Sequence, residues 1–316
     1  MRRGISAIII TILLVLIFRS ESLGFGNDAN FKNPKNRSEG QRDYTRENSL
    51  LPTSQGGYPS QGGYYGGHDT ITSEAMMLKK EVHSNDANAG REFNLWADRE
   101  ALPNLRSGAH DEDTNKKWDF ILNDPPIEDN GWGDYNHHFY NPETKNGLKW
   151  IRGASPATER VKDYIKEIQR IQNCRPWGQL SNDERKRINS LFGRIMHLIQ
   201  DMGNPSHSKD DIHVFNKPFE DYVRNSWDKI VGSDSFQSKV NVGEYERGQY
   251  DRFSDFTNPE ELIKSLAEIS KQYPSEWELN DRVVNQETGE AKWVLNEERL
   301  KKNVDDLIPQ AVLYSA

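Results

Sequence analysis

The side chains able to do chemistry in this chain are crowded into less than half of its length. All eight histidines lie between His68 and His213, and neutral imidazole is the commonest metal ligand among side chains. The sharpest local group is His197-Leu-Ile-Gln-Asp201, followed by Met-Gly-Asn-Pro-Ser and then His207. On a helix, His197 and Asp201 stand one turn apart on one face, so an imidazole and a carboxylate can close on one metal ion. The break at Gly203-Asn-Pro205 then turns the chain and lets His207 address a second position nearby. The same helix carries an apolar stripe of Ile188, Leu191, Phe192, Ile195, Ile199 and Met202, with His197 and Asp201 close to its opposite side. Two readings of the pair stand open at this level: a metal clamp, or a face turned to water.

The segments that must position these residues are patterned as helices. Asp69 to Val82 begins with Thr70 and Thr72; Glu92 to Leu102 is similar and is stopped by Pro103; Thr158 to Ile171 repeats Val161, Tyr164, Ile165, Ile168 and Ile171 at helical spacing. Ser181-Asn-Asp-Glu184 is a capping box for a helix running to about Met202. Further helices are expected at 217–231, 259–272 and 296–314. Strict alternation is nearly absent apart from a hairpin around Val283–Val294, built on Glu287-Thr-Gly-Glu290. The expected class is all-α.

Five ordered pieces of this region resemble the zinc-dependent phospholipase C and P1-nuclease superfamily, which builds three-zinc sites inside a helical bundle. His68-Asp-Thr-Ile-Thr looks like that family's first histidine at the start of its first helix. Gly108-Ala-His-Asp-Glu-Asp113, read as a loop, is similar to the segment with a glycine five residues before the metal-binding aspartate. His138-Phe-Tyr-Asn-Pro142 is similar to the His-Phe-Tyr-Asp-Pro element. His197-x-x-x-Asp201 with His207 reproduces the central ligand spacing, and Phe219-Glu220-Asp-Tyr resembles the closing Tyr-Glu-x-Phe. The resemblance covers about 150 residues, from His68 to Glu220. It implies a bundle of the phospholipase C/P1 nuclease type and two or three Zn2+ ions. Asp113, His138, His197 and Asp201 would hold one ion, with Asp201 bridging to another that His68 also binds, and His207 and Glu220 would hold the third. It further implies that Asp113 orients or deprotonates the attacking water, in the hydrolysis of a phosphodiester by metal-activated water. The chain departs from the pattern twice. No tryptophan stands in the Gly/Gln/Tyr stretch upstream of His68, and Asn216 occupies the place of a histidine four residues before the glutamate, with His213 three residues earlier as a substitute.

The rest of the chain bounds these expectations. Arg2 and Arg3 precede a run from Ala7 to Phe18 that is apolar except for Thr11, the layout of a signal peptide over residues 1–22. No clean small-x-small site follows, which leaves an uncleaved N-terminal membrane anchor open. Residues 23–67 read as a flexible linker ending in a Gln-Gly-Gly-Tyr repeat, and residues 68–316 as the helical zinc-hydrolase domain. The lone Cys174 excludes an internal disulfide. Residues 1–67 carry eight Lys/Arg against five Asp/Glu, and the remaining 249 carry 33 against 44. That acidic balance argues against broad gripping of duplex nucleic acid, though not against a small site whose charge comes from metal ions. Trp96, Trp118, Trp132, Trp150 and Trp177 read as core and loop anchors rather than a lipid-insertion belt. The expected function is that of an exported phosphoric ester hydrolase, secreted, periplasmic or in the cell envelope. A phospholipid headgroup is the first substrate expectation, and single-stranded nucleic acid or a nucleotide the second; no stable protein partner is evident. A non-catalytic zinc-binding helical surface protein is the rival from another class.

Overall fold

The computed structural model of the 316-residue chain describes residues 67–83, 101–112, 137–148, 156–209, 211, 217–248 and 258–316. In chain order the elements are α1 (His68–His83), α2 (Leu102–Asp111), α3 (Ala157–Gln172), α4 (Asn182–Asp201), α5 (Pro218–Val231), α6 (Asp234–Lys239), α7 (Val242–Gly248), α8 (Pro259–Ser270), β1 (Asn280–Val284), β2 (Ala291–Leu295) and α9 (Glu297–Ser315). The class is all-α, with one small hairpin.

Helix α4 begins where its sequence supplies its own cap. The Ser181 hydroxyl accepts from the Glu184 amide at 3.3 Å and the Glu184 carboxylate accepts from the Ser181 amide at 2.8 Å, which satisfies two donors a helix start otherwise leaves open. Similar caps open α8, where the Asn258 side chain accepts from the Glu261 amide, and α9, where Asn296 accepts from the Arg299 amide. Past its cap, α4 becomes the central element. Every residue from Gly193 to Asp201 is buried, so of the two open readings of His197 and Asp201 the face turned to water is ruled out: this half of the helix is surrounded by its neighbours.

The neighbour that closes this second side is α2, and here two sequence expectations are revised. Residues 92–100 lie outside the described residues. Pro103 does not stop a helix but sits in the first turn of α2, where a missing N–H breaks no helical hydrogen bond. Gly108 to Asp111, read as a loop, continues the same helix. The two helices touch backbone to backbone. A Cβ on Gly108 would stand 2.0 Å from the Ser190 carbonyl oxygen, and one on Gly193 2.0 Å from that of Leu105. Only glycine at both positions permits this crossing.

Around α2 and α4 pack α1, α3, α8 and α9. Their inward residues share one core that includes Ile71, Val161, Leu198, Ile263, Leu266, Val304 and Leu307. Each fully buried aliphatic side chain of this kind contributes about 1.5–3 kcal/mol. The segment 137–148 threads between this bundle and the turns after α4: the Tyr140 amide donates to the His207 carbonyl at 3.0 Å and the Ala157 amide to that of Phe139 at 3.1 Å. Helices α6 and α7 were not anticipated; they are too short to show a period.

The hairpin starts three residues earlier than expected. β1 and β2 pair antiparallel with Asn280 opposite Leu295 and Val284 opposite Ala291, and Gly289 takes φ 72° in the turn. Among the described residues no helix is long and apolar enough to cross a membrane.

Candidate metal centre

Asp201, at the last turn of α4, is the point on which the histidines converge. Its side chain is 3% exposed. His68 reaches it from the first turn of α1, with Nε2 3.3 Å from Oδ1. On the other carboxylate oxygen, Oδ2, stand His138 Nδ1 at 2.7 Å and His197 Nε2 at 3.3 Å. His138 Nδ1 and His197 Nε2 are themselves 3.1 Å apart, and the rings of His68 and His197 lie 3.7 Å centroid to centroid. The candidate ligand atoms of His68, His197 and Asp201 all fall within 4.8 Å of one another.

A second lobe adjoins the first. His207 follows the turn after α4, and its Nε2 lies 3.6 Å from Glu220 Oε1 in the first turn of α5. Phe139 stacks flat on the His207 ring, with 4.7 Å between centroids and 16° between planes. Glu220 Oε2 pairs with Lys217 at 3.0 Å. His138 sits between the lobes, its ring 6.5 Å from that of His207.

The hydrogen bonds behind these rings fix which nitrogen faces away from the cluster. His197 Nδ1 faces the Ala109 carbonyl at 2.6 Å, and His207 Nδ1 faces the His138 carbonyl at 2.7 Å. A carbonyl only accepts, so each Nδ1 carries the proton and each Nε2 its lone pair. Gln200 does the same for His68: its amide nitrogen donates to Thr72 Oγ1 at 3.0 Å, which leaves Oε1 to take the His68 Nδ1–H at 3.1 Å. Three imidazoles thus present Nε2 atoms toward carboxylates, the buried Asp201 and the half-buried Glu220, an arrangement that repels itself unless protons or a cation stand between. The 3.3 Å separations of His68 and His197 from Asp201 and the 3.1 Å between His138 and His197 are near the roughly 3.3 Å ligand-to-ligand distance of a tetrahedral ion with arms of about 2.0–2.2 Å, while the 2.7 Å between His138 and Asp201 is a direct hydrogen bond. Backbone and amide acceptors behind ligating histidines are also the usual outer shell of such ions. The residues fit a divalent, zinc-like ion.

Electrostatics point the same way. Burial pushes the Asp201 carboxyl up, but the positive charge that His197, His207, His138 and His68 carry when protonated outweighs it, so the group lies well below the usual carboxylate range.

Behind the centre lies a buried charged knot that sequence reading missed. Glu112 ends α2, immediately before Asp113. Its Oε2 accepts from Arg194 Nη1 at 2.7 Å and from the Tyr164 hydroxyl in a short hydrogen bond, while Arg160 Nε lies 3.6 Å from Oε1. Burial alone would raise the Glu112 carboxyl; Arg194 and Arg160 hold it below its ordinary value. Gln200 and Phe139 were missed as well. Nothing local marks a glutamine as the partner of a histidine 132 residues away. Gly193, however, sat inside an expected helix, where close approach is a usual meaning of glycine. Of the expected site residues, His68, His138, His197 and Asp201 are thus brought together, with His207 and Glu220 beside them. Asp113, His213 and Asn216 lie outside the described residues.

What fold and site define is a helical protein with a buried His/Asp cluster of metal-binding type. No family model matches the sequence, and no curated protein matches it. Among solved structures the chain is similar to the alpha toxin of Clostridium absonum, at 14% identity and a TM-score of 0.49, over 78% of this chain and 61% of that one. It is also similar to the alpha-toxin of an avian strain of Clostridium perfringens, at 14% identity and a TM-score of 0.46, over 81% and 62% respectively. The chain thus spans about three fifths of the length of these proteins.

Proposed function

We propose that this chain is an exported, zinc-dependent phosphoric ester hydrolase of the phospholipase C kind, acting on the phosphodiester of a phospholipid headgroup. The observation that carries the reading is Asp201, a buried carboxylate met by His68 on one oxygen and by His138 and His197 on the other. His68, His138, His197 and Asp201 would hold two ions between them, and His207 with Glu220 a third. Zinc there supplies Lewis acidity, neutralising charge that builds on phosphoryl oxygens and acidifying water. The protein's own part is to hold the ligands in one tautomer through Ala109, His138 and Gln200, and to keep Asp201 ionised. Asp113, one residue past the Glu112 knot, is the carboxylate proposed to orient the attacking water and accept its proton. The 33 to 44 balance of charge after residue 67 disfavours broad gripping of duplex nucleic acid and leaves a single-stranded nucleic acid or nucleotide as the second substrate reading. Export is proposed from the apolar run Ala7–Phe18 behind Arg2 and Arg3.

The test is elemental analysis of the purified protein beside Asp201→Asn, with hydrolysis of a chromogenic phosphodiester followed in the same samples. Two or three zinc ions per chain, with both metal and turnover lost in the variant, is the expected result. One ion or none, without turnover, would leave a helical scaffold and overturn the reading.

A further inference from the structure

Every exposed large hydrophobic residue among the described ones falls within one short stretch: Trp277 is 71% exposed, Trp293 70%, Val284 46%, Val283 44% and Val294 40%. Exposed apolar residues gathered in this way mark an interaction site more often than scattered ones do. All residues from Arg282 to Val294 are exposed, so the hairpin stands clear of the body on both faces. The register divides its side chains. Asp281, Val283, Lys292 and Val294 share one face; Arg282, Val284, Ala291 and Trp293 share the other. The base, by contrast, is fixed. Leu279 is fully buried, its carbonyl accepts from the Asn296 amide at 2.8 Å, and Asn296 Nδ2 donates to Asp281 at 2.7 Å.

The turn bearing Trp277 is tied directly to the metal-centre side of the molecule. The Trp277 amide donates to Asp211 Oδ2 at 3.3 Å, the Glu276 amide to Ser206 Oγ at 3.0 Å, and Lys209 pairs with Glu278 at 2.5 Å. Ser206 and Lys209 flank His207, so the apolar patch continues from the rim of the second lobe.

We propose that Trp277 and the β1–β2 hairpin seat this protein in the headgroup layer of a zwitterionic phospholipid surface. Three observations select that occupant. Both faces of the two-stranded sheet carry valine or tryptophan beside a cationic side chain, as suits a layer that surrounds the hairpin. Tryptophan, valine and the long stems of Arg282 and Lys292 are the side chains that combine an apolar body with a wet end or a small apolar contact at such depth. The charges exclude an anionic surface: the hairpin holds Arg282 and Lys292 against Asp281, Glu287 and Glu290, and the chain carries a net charge of −8. Glu287 and Glu290 in the turn keep the tip hydrated, so the hairpin lies in the interface rather than piercing the hydrocarbon. The choice of a phospholipid surface rests on the function proposed above; the exposure and the placement do not.

The experiment is cosedimentation of the full chain with sucrose-loaded vesicles of phosphatidylcholine and, separately, of phosphatidylcholine with phosphatidylserine. Wild type is compared with Trp277→Ala/Trp293→Ala and with Val283→Ser/Val294→Ser. Wild type is expected to partition onto pure phosphatidylcholine, and each double variant to bind at least tenfold more weakly with an unchanged circular dichroism spectrum. Equal binding by the variants, binding by wild type only when phosphatidylserine is present, or a variant that merely converts a dimer to a monomer in sedimentation velocity would each overturn the proposal. Hydrolysis of a soluble chromogenic diester by wild type judges the catalytic reading separately, since that substrate needs no surface.

Discussion

At the scale of single residues, the centre depends as much on what stands behind the ligands as on the ligands. Gln200 is the clearest case, because it holds the His68 tautomer with one end of its amide and Thr72 with the other. Gln200→Leu is expected to weaken metal binding roughly 10–100-fold, the usual cost of losing an outer-shell partner, with secondary structure unchanged. Titration of the protein against a competing chelator would measure it. Glu112 is a second case, with a pH signature. Its carboxyl is held below the ordinary 4.5 in the folded chain, so its stabilisation is complete above that value and is lost as pH falls through the lowered one. Glu112→Gln, which leaves Arg194 buried beside a neutral partner, should therefore cost about 3 kcal/mol near neutrality and progressively less as the pH is taken below 4.5. Urea unfolding at a series of pH values would show the two stability curves converging in acid; parallel curves would mean that the ionised carboxylate of Glu112 is not the source of the difference.

At the scale of elements, the crossing of α2 and α4 is the joint on which the centre turns. It brings the Ala109 carbonyl to His197 and seats Glu112 on Arg194. Gly193→Ala would drive a methyl group to 2.0 Å from the Leu105 carbonyl, where backbone, not a flexible side chain, must move. A loss of at least about 3 kcal/mol and a fall in bound zinc are expected together, measured by denaturant unfolding and elemental analysis. Ser181→Ala, at the far end of α4, should cost only about 1 kcal/mol and leave the metal in place. This contrast also explains what was legible in the sequence. The Ser181–Glu184 cap is local, and its residues announce it. The turn at Gly203 and the clustering of histidines were likewise visible. Pro103 was not decisive, because a proline ends one helix and begins another with equal ease. The burial of His197 and Asp201 was hidden, since one apolar stripe on α4 gives no sign that a second helix will cover the opposite side. That depends on two glycines 85 positions apart meeting in space.

At the scale of the whole molecule, a largely buried cluster of one carboxylate and three imidazoles stabilises the fold only when charge is balanced. Any ion bound to the native chain and not to the unfolded one adds stability by mass action, about 4 kcal/mol at a free concentration 1,000 times its Kd. Chelation should accordingly lower the melting temperature of wild type by several degrees, and that of Asp201→Asn hardly at all; differential scanning calorimetry with and without EDTA distinguishes the two. An equal response would place the ion elsewhere.

The spread of the ligands along the chain sets an order of events. His138 and Asp201 are 63 residues apart, His197 and its Ala109 acceptor 88, and His68 and Gln200 132. Contacts so distant in sequence form late, after the intervening loops have been closed at an entropic cost. If the chain binds metal as proposed, an ion that needs these distant residues assembled would be retained only by the folded chain, and the supply that matters would be the one in the compartment where the chain folds.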